Sequence, residues 1–496
     1  MRLDWRRVVV YTHRWLGIAG CLLFIAWFVS GIVLMYARMP ELPDADRRLF
    51  AQPIDLSSAR IGIADAVRAE SIQPQRVRIV MAEGRPVYGL FARGRWTSIF
   101  ADTGDVRPEP TDAEAQARAL HAVQRARPAD ASTARVDGYL TLPDQWTFGN
   151  QRDLPLSRVA VGDSAGTVYY FAAATGEPVM RTTASERRWA YAGAVLHWLY
   201  FTPFRRMSAL WAQTVIYTSL AGCVLCLSGL VWGIWRLSLS SRYRLKRVRS
   251  HTPYAHWMRW HHYAGLVFGL TTFTWIFSGM LSMDPWDWHP DNSPTAAERD
   301  AMSGGAFHVE PLTLDSTRTA AALLAASGPA PNEIEVLQFE GKPYYRAEGS
   351  LVPAEHPEAG RFNAFERATV ERAVERAMSD VPVQDAAWLD GYDAYYYDRH
   401  GALPLPVLRV RYLDPQRTWV YADPSRGAIV LKEERLSRLN RWLYHGLHSL
   451  DFPFLYYRRP LWDIVVIVLS LGGIASAVTI IVPGVRRLRR GARRIW

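Results

Sequence analysis

The sequence predicts a membrane protein in which four transmembrane helices form a bundle and two small α+β domains lie outside the membrane. Four uncharged apolar stretches, near residues 16–36, 207–235, 262–283 and 464–485, each supply the roughly 20 residues that a transmembrane helix needs. Long segments of ordinary soluble composition separate them. The second half of the chain also repeats motifs of the first, which indicates an internal parallel duplication.

Basic residues set the expected orientation of these helices. Arg2, Arg6 and Arg7 precede the first stretch, the link between the second and third contains "RLSLSSRYRLKRVR", and the tail contains "RRLRRGARR". The positive-inside rule places all three in the cytoplasm, together with both termini. The formal net charge of +11 then reflects membrane topology. It does not indicate nucleic-acid binding, because each basic run adjoins a predicted span.

This topology divides the 496 residues into eight segments. They are a first transmembrane helix (1–36), a first outside domain (37–188), a second transmembrane helix with a lead-in helix (189–236), a basic cytoplasmic loop (237–255), a third transmembrane helix (256–283), a second outside domain (284–440), a fourth transmembrane helix with its lead-in helix (441–485) and a basic tail (486–496). Each half is therefore one span, one outside domain and one further span.

The repeat is strongest around the apolar stretches. Four residues around the first stretch recur at identical spacing around the third: His13, Gly17, Ser30 and Gly31 match His261, Gly265, Ser278 and Gly279. Ahead of the second and fourth stretches, "HWLYF" with His197 matches "HSLDF" with His448. A parallel repeat of this kind predicts a pseudo-two-fold axis along the membrane normal.

The outside segments have the patterns of small helix-on-sheet domains. "SSARIGIADAVRAE" predicts a helix over residues 57–70. "RVRIVMAEGRPVYGLFARG" predicts a hairpin with Glu-Gly at its turn, and "TVYYFAAATGEPV" a second hairpin with Thr-Gly at its turn. These segments contain no residue spacing typical of a protease or of a phosphate-binding loop.

Four of the 13 histidines occupy repeat-equivalent positions. His13 and His261 lie at the cytoplasmic ends of the first and third spans, whereas His197 and His448 lie on the outer side. If the spans meet near the axis, each pair of imidazoles faces the other across the bundle. Such a pair is typical of the axial ligands of a b-type haem, which needs no covalent attachment. The sequence thus predicts two bis-histidine haems, one near each membrane face.

Other readings of the histidines remain open. Histidines at span ends are often interfacial residues with no ligand role. His256, His262 and His445 are possible substitutes as ligands or as partners of a haem propionate. The three cysteines, Cys21, Cys223 and Cys226, lie in apolar stretches and form no haem-attachment motif. Zinc is a weaker expectation, because no set of three or four close ligands is visible in the sequence.

The motifs "HRWLGIAG…SG", "EGRPVYGL" and "TGEPV" resemble the PepSY-associated transmembrane family over nearly the whole chain. This resemblance implies a bacterial inner-membrane protein with two periplasmic PepSY-like domains and histidine-ligated b haems. Members of the family include reductases of ferric siderophores, so the resemblance implies that electrons reach a ferric chelate outside. The sequence departs from the motif at His262 and Tyr263, where the first copy has Arg14 and Trp15.

Candidate contacts for such an acceptor are aromatic and basic residues of the outer side. They are Trp198, Tyr200, Arg205, Arg206, Tyr456, Tyr457, Arg458 and Arg459, with Asp287 and His289 in a loop that the first half lacks. An interfacial belt of aromatic and arginine side chains explains the same pattern. The expected electron donor is another protein on the cytoplasmic side, a quinol or a diffusible reductant, since the chain carries no flavin or nicotinamide motif.

Two alternative functions remain at this stage. PepSY-like domains also act as binding or inhibitory modules, so a membrane-anchored regulator without redox activity fits the same resemblance. A chain with two haems also fits the cytochrome subunit of a separate reductase. The first expectation is nevertheless an oxidoreductase that reduces a ferric siderophore.

Overall fold

The computed structural model describes residues 4–245, 248–289, 291–326, 328–398 and 401–492. Arg2, residues 246 and 247 of the basic link and the last four residues of the tail lie outside the described residues, although they belong to the predicted basic flanks. In the described part, four helices are long and apolar enough to cross a membrane, and several small β-sheets accompany them. These features agree with the predicted combination of spanning helices and α+β segments.

Sixteen α-helices occur among the described residues. In chain order they are α1 (Trp5–Leu34), α2 (Asp44–Phe50), α3 (Ile63–Glu70), α4 (Asp112–Ala126), α5 (Ala184–Ala190), α6 (Leu196–Trp198), α7 (Thr202–Arg206), α8 (Ser208–Arg236), α9 (Trp257–Leu281), α10 (Ala296–Ser303), α11 (Leu314–Ala325), α12 (Arg367–Ala377), α13 (Arg435–Asn440), α14 (Leu447–Ser449), α15 (Pro453–Tyr456) and α16 (Leu461–Ala492). The four long apolar helices are α1, α8, α9 and α16.

Sixteen strands accompany the helices in the described part of the chain. They are β1 (Arg76–Ala82), β2 (Arg85–Ala92), β3 (Arg95–Phe100), β4 (Arg135–Leu140), β5 (Leu156–Ala160), β6 (Val168–Ala172), β7 (Pro178–Thr182), β8 (Tyr243–Leu245), β9 (Val248–Ser250), β10 (Glu333–Phe339), β11 (Lys342–Ala347), β12 (Ser350–Pro353), β13 (Val383–Leu389), β14 (Val407–Tyr412), β15 (Trp419–Asp423) and β16 (Ala428–Glu433).

The four long helices form a closed bundle. Helix α1 packs against α8 and α16, and α9 packs against the same two helices, so α1 and α9 lie diagonally across the bundle. We call the end that carries the start of α1 and the arginines of the α16 tail the basic end. The opposite end, where the chain leaves for the strands, is the sheet end.

Helix α1 begins well before the apolar stretch that predicts it. The Asp4 side chain accepts a hydrogen bond from the backbone N–H of Arg6 and caps the helix at Trp5. His13 therefore lies inside the helix, about 12 Å along its axis from the first turn, and does not precede it. The apolar run marks the segment that suits lipid, whereas backbone capping decides where the helix starts.

Glycines allow the long helices to approach closely near the middle of the bundle. A Cβ added at Gly473 would lie 2.7 Å from Phe28 Cε1, and one at Gly222 would lie 3.0 Å from Ile276 Cγ2. The two glycines are repeat equivalents, and so are Phe28 and Ile276. The same packing motif therefore occurs twice, with small residues admitting large side chains of the neighbouring helix.

The two predicted hairpins form as expected. Strands β1 and β2 pair around Glu83 and Gly84, whose φ angles are 57° and 78°. Positive φ at both central residues is the geometry of a tight hairpin turn, which glycine permits. Strands β6 and β7 form the second hairpin. The helix predicted over 57–70 is shorter, because α3 starts only after Gly62 in the capping position.

One sheet is shared by the two halves of the chain. Its six strands run in the order β12-β11-β10-β1-β2-β3, and β1 pairs antiparallel with β10. The strands β4–β7 and β13–β16 form separate four-stranded sheets, one from each half. The two outside segments of the sequence are thus joined through their first hairpins, an arrangement that neither segment's sequence reveals.

Strands β1 and β10 are repeat equivalents, and they pair across the local pseudo-two-fold axis. Arg78 faces its repeat equivalent Glu335 across the strands. Arg78 also forms an ion pair with Glu177 at 2.9 Å, whereas Glu335 forms one with Arg426 at 2.6 Å. Ion pairs of opposite polarity therefore attach the shared sheet to the hairpin turn of each four-stranded sheet.

Candidate cofactor sites between facing histidines

The four repeat-equivalent histidines come together as two pairs. The ring centroids of His13 and His261 are 5.9 Å apart, and those of His197 and His448 are 6.1 Å apart. The first pair lies towards the basic end of the bundle and the second at the sheet end. The structure thus brings together the residues that the sequence pairs by repeat position.

The basic-end pair belongs to the diagonal helices α1 and α9. His13 Nδ1 lies 3.0 Å from the carbonyl oxygen of Leu225 in α8, and His261 Nδ1 lies 3.0 Å from that of Ser476 in α16. Leu225 and Ser476 are repeat equivalents. The hydroxyl of Thr479 is a further neighbour of His261 Nδ1, at 3.3 Å. Each ring is thereby oriented by the helix next to its own.

The sheet-end pair is carried by the short helices α6 and α14. A π-helical turn precedes each one, at Tyr191–Val195 and at Arg441–Gly446. A left-handed residue ends each one, Leu199 with φ of 54° and Leu450 with φ of 49°. The chain therefore reverses immediately after each histidine. Pro203 and Pro453 stand in the first turn of the next short helix, so they begin helices and do not bend the histidine-bearing ones.

Both sheet-end histidines bond back to the first helix of their own half. His197 Nδ1 lies 3.2 Å from the carbonyl oxygen of Trp27, and His448 Nδ1 lies 3.1 Å from that of Trp275. The hydroxyl groups of the two equivalent serines each lie 3.1 Å from the same nitrogens. These serines are Ser30 and Ser278. This contact explains why serine recurs at that spacing.

The glycine after each serine makes room for the ring. A Cβ added at Gly31 would lie 3.4 Å from His197 Cε1, and one at Gly279 would lie 3.3 Å from His448 Cε1. At the basic end, a Cβ at Gly229 would lie 2.7 Å from His13 Nδ1. Gly229 has no glycine at its repeat-equivalent position, Ile480, so the sequence repeat does not reveal it.

The hydrogen bonds assign the same tautomer to all four rings. A carbonyl oxygen only accepts, so each Nδ1 donates its hydrogen and each Nε2 keeps a free lone pair. A hydrogen bond from the second ring nitrogen to a carbonyl is the usual support of a histidine that ligates a metal. The two pairs are thus chemically prepared to act as ligands through Nε2.

The spacing of the rings fits a shared metal ion. Two imidazoles on opposite sides of one ion, with bonds of about 2 Å, have ring centroids about 6 Å apart. The observed separations of 5.9 and 6.1 Å match this value. Among the residues that the structure describes, no group of three or more histidine, cysteine or acidic side chains surrounds a common point. The donor sets are therefore pairs, which suit the axial positions of haem.

A large cavity surrounds the basic-end pair. Its volume is about 840 Å³, within the roughly 300–1,000 Å³ that ligand and cofactor sites usually occupy. Gly17 and Gly265 line it, together with both histidines. It extends to the exposed arginines 486, 487 and 490 at the end of α16. The cavity therefore combines an apolar interior with a cationic mouth.

The possible substitute histidines occupy different places. His256 is exposed at the start of α9 and lines the basic-end cavity. His262 is buried beside His261, and its Nε2 lies 2.8 Å from the carbonyl oxygen of Gly233. His445 is exposed, with its ring centroid 4.5 Å from that of Tyr444. The ring of Tyr444 lies beside that of His448, with centroids 5.6 Å apart.

Several of the predicted acceptor contacts have partners within the protein. Arg205 stacks on Trp211 at 4.4 Å and on Tyr200 at 5.1 Å. Arg206 donates to the carbonyl oxygen of Pro143 at 2.9 Å, and Arg459 forms an ion pair with Asp463 at 2.5 Å. Trp198 is exposed, as are Tyr457 and Arg458, whereas Tyr456 is half-buried and packs on Trp462.

The extra loop after α9 is compact. His289 Nε2 lies 3.5 Å from an Asp284 carboxylate oxygen, and its ring packs against Trp288. Asp287 is exposed in a 3-10 turn with a φ angle of 49°. The three cysteines are free thiols: Cys223 is buried in the bundle, and Cys21 and Cys226 line the basic-end cavity.

Comparison with known proteins finds no matching family model and no matching curated protein. The site itself consists of two facing pairs of histidines at the two ends of one apolar bundle, and each ring is supported through Nδ1.

Proposed function

We propose that this chain is a di-haem b protein that carries electrons across a membrane and reduces a ferric chelate, such as a ferric siderophore, on the sheet side. The observation that carries the proposal is the duplicated histidine pair. Ring separations of 5.9 and 6.1 Å and an Nδ1–carbonyl contact on every ring support ligation by His13 with His261 and by His197 with His448.

A haem iron held by these two pairs of histidines would supply one-electron redox chemistry and would leave no open position for oxygen. The chain's own residues keep the ligand geometry rigid. The carbonyl oxygens of Leu225, Ser476, Trp27 and Trp275 hold each Nδ1 hydrogen, so the rings cannot rotate freely as the charge at their other nitrogen changes.

The two pairs are spaced for passage across a bilayer. His197 contacts Trp27 and Ser30, which follow His13 in α1 by 14 and 17 residues. A helical rise of 1.5 Å per residue separates the two levels by about 21–26 Å. The hydrocarbon core of a bilayer is about 30 Å thick, so the pairs suit positions near its two faces. Helix α9 repeats the same spacing.

We assign the basic end to the cytoplasm and the sheets to the periplasm of a bacterial inner membrane. The arginines of α16 and of the link after α8 support this orientation. Outward electron movement is then favoured by about 2.3 kcal/mol per 100 mV of a membrane potential that is negative inside. The sequence resemblance to the PepSY-associated transmembrane family supports the same assignment, with the sheets as PepSY-like domains and lipid around the bundle.

A ferric siderophore is a suitable acceptor for chemical reasons. Fe(III) is held by hard oxygen donors, and Fe(II) is held much more weakly, so one electron releases the metal without breaking the chelator. The exposed Tyr457 and Arg458 offer an aromatic face and a positive charge beside the segment that carries His448. Oxygen-rich anionic chelates match these two groups.

The test uses purified protein in liposomes, with a reductant sealed inside and a ferric siderophore outside. Fe(II) is trapped by a chelator that does not cross the membrane. The wild type should form external Fe(II), and His448→Ala and His197→Ala should not. The control His356→Ala removes an exposed histidine of a soluble segment and should retain full activity.

Each contrary outcome has a definite meaning. Equal Fe(II) formation by the wild type and both sheet-end variants rules out the proposed route. A colourless protein without a Soret band identifies a membrane-anchored regulatory module. A protein that carries two haems but reduces no ferric complex is instead a cytochrome subunit for a separate reductase.

A further inference from the structure

We propose that the basic-end cavity binds the headgroup of a membrane quinol, and that His262 Nδ1 accepts a hydrogen bond from a quinol hydroxyl. The quinol is the electron donor that the proposed function requires, so the redox step rests on that proposed function. It concerns a histidine that belongs to neither facing pair.

His262 is the residue that motivates the proposal. Its side chain is 6% exposed and lines the cavity beside His261. Its Nε2 lies 2.8 Å from the carbonyl oxygen of Gly233 in α8. Its Nδ1 is buried and has no hydrogen-bond partner among the described residues. A buried polar atom of this kind normally has a partner, so a ligand is expected to supply one.

The hydrogen bond to Gly233 determines what kind of ligand fits. The carbonyl oxygen only accepts, so the hydrogen of the neutral ring is on Nε2. Nδ1 of His262 is then an acceptor and needs a ligand that donates. The carboxylate of a haem propionate has no hydrogen to give, whereas a quinol hydroxyl has one. The tautomer therefore favours a quinol over a propionate at this nitrogen.

The surroundings of His262 suit a flat aromatic headgroup. The ring centroid of Tyr254 lies 5.4 Å from that of His262, and the ring centroid of Tyr263 lies 6.0 Å from it. The Trp232 indole N–H donates to the Tyr254 hydroxyl at 2.8 Å, which holds that ring in place. Both Tyr254 and Trp232 line the cavity. This wall presents aromatic surface together with one hydrogen-bond acceptor.

A lipid-soluble ligand has a route to this wall. His262 and Gly233 bridge the seam between α9 and α8, and the neighbouring apolar residues face outwards. Ile234 is 64% exposed and Trp260 is 64% exposed. In a membrane these surfaces contact lipid, so a quinol tail can lie along the seam while its headgroup reaches the cavity.

The repeat does not reproduce the histidine of this wall in the first half of the chain. The repeat equivalent of His262 is Arg14, which stacks on Tyr11 at 5.2 Å. Tyr254 belongs to the link between α8 and α9. The internal duplication therefore does not account for the group formed by His262, Tyr254 and Trp232. This is consistent with a separate binding role for that group.

The redox step balances with the proposed acceptor. One quinol loses two electrons and two protons: its two O–H bonds break and its two C–O groups become carbonyls. The electrons leave one at a time through the basic-end site, and two external Fe(III) chelates become Fe(II). The two protons pass to water at the arginine-lined mouth of the cavity.

The experiment uses the full-length protein in detergent with decylubiquinol and its photoreactive azido-quinone analogue. Two variants are compared with the wild type. His262→Phe keeps ring volume and removes both hydrogen bonds, whereas His262→Gln keeps one donor and one acceptor. His251→Ala is the control, because His251 bonds to the Ser238 carbonyl oxygen and does not line the cavity.

We expect His262→Phe to weaken decylubiquinol binding about tenfold or more, because a buried hydrogen bond to the ligand is lost. His262→Gln should restore most of the affinity, and His251→Ala should match the wild type. In the wild type, the azido-quinone should label peptides of α8, α9 or the 251–256 link. Reduction of the protein by dithionite should be equal in all four proteins, which shows that the basic-end site remains intact.

Equal decylubiquinol affinity in the wild type and His262→Phe would overturn the quinol site, and so would labelling confined to the sheet-forming segments. The binding and labelling measurements do not need haem. A protein without haem absorbance therefore contradicts the proposed function, whereas a haem-containing protein that does not bind decylubiquinol contradicts only this inference.

Discussion

The two histidine pairs use the same chemistry but are built in opposite ways. At the basic end, the first helices α1 and α9 supply the histidines, and the second helices α8 and α16 supply the carbonyl groups. At the sheet end, short helices ahead of α8 and α16 supply the histidines, and α1 and α9 supply the carbonyls and hydroxyls.

Different structural features therefore hold the two histidine pairs in place. His13 and His261 stand within long continuous helices, so packing of the bundle mainly determines their separation, and the carbonyl oxygens of Leu225 and Ser476 orient the rings. His197 and His448 depend on a π-helical turn, a left-handed residue and a serine of another helix. The basic-end pair is therefore expected to depend mainly on helix packing, whereas the sheet-end pair depends on local hydrogen bonds and on the sheets above it.

The largest expected effect distinguishes the pairs directly. His13→Ala should remove about half of the haem absorbance and leave the sheet-end haem bound, and His448→Ala should do the converse. An imidazole is lost in each case, and alanine has no ligand atom. Redox titration monitored by absorbance measures which component disappears.

Loss of both haems in either single variant would show that the pairs are not independent sites. Unchanged haem content in both His13→Ala and His261→Ala would remove the basic-end assignment. In that case His256 and His262 become the ligands to test.

Gly229→Ala should have nearly as large an effect, and only at the basic end. The added methyl group would lie 2.7 Å from His13 Nδ1, so the ring has to move away from its position opposite His261. We expect strong loss of the basic-end haem with the sheet-end haem retained. Haem content per protein and the absorbance spectrum measure the result.

Gly265→Ala is the matched control for this substitution. It adds the same methyl group to the same cavity, but the nearest atom, Ser476 Oγ, is 3.9 Å away. We expect a smaller loss of haem than in Gly229→Ala, because this methyl group does not displace His13. Equal losses in Gly229→Ala and Gly265→Ala would show that general crowding of the bundle, and not displacement of His13, causes the effect.

A smaller effect is expected for Ser30→Ala and Ser278→Ala, and it should be confined to the sheet end. Each removes one hydrogen-bond partner of a histidine Nδ1 but leaves the carbonyl partner in place. A loss of about 1 kcal/mol corresponds to roughly fivefold weaker haem retention at that site. Haem transfer to apomyoglobin measures retention. Thr214→Ala removes a hydroxyl bonded only to the carbonyl of Leu210 and should change neither site.

The smallest expected effect tests whether the sheets support the sheet-end pair. Arg426→Ala removes the ion pair with Glu335 that joins the shared sheet to one four-stranded sheet. Both side chains are partly exposed, so the cost should be below about 1 kcal/mol. Thermal unfolding should begin slightly earlier, with a small loss of sheet-end haem and no change at the basic end. An equal loss at both ends would contradict the proposed difference between the pairs.

The internal duplication makes the four histidines conspicuous in the sequence, because each recurs at an equivalent position in the other half. Serine and glycine at repeat-equivalent positions were also visible, and their contacts with His197 and His448 now give them a structural purpose. Gly229 was not visible, because its equivalent Ile480 is not a glycine. The carbonyl groups of Leu225 and Ser476 carry no side-chain signal at all, since any residue supplies a carbonyl.

The sequence by itself determined the four apolar helices, the hairpins and the spacing of the histidines. Hydropathy, turn residues and repeat positions are local properties of the chain, so a linear reading detects them. Only the tertiary structure decided the diagonal arrangement of α1 and α9, the sheet shared through β1 and β10, and the unpartnered Nδ1 of His262. Each of these depends on which distant segments come into contact, and that is set by packing of the whole chain around an approximate two-fold axis.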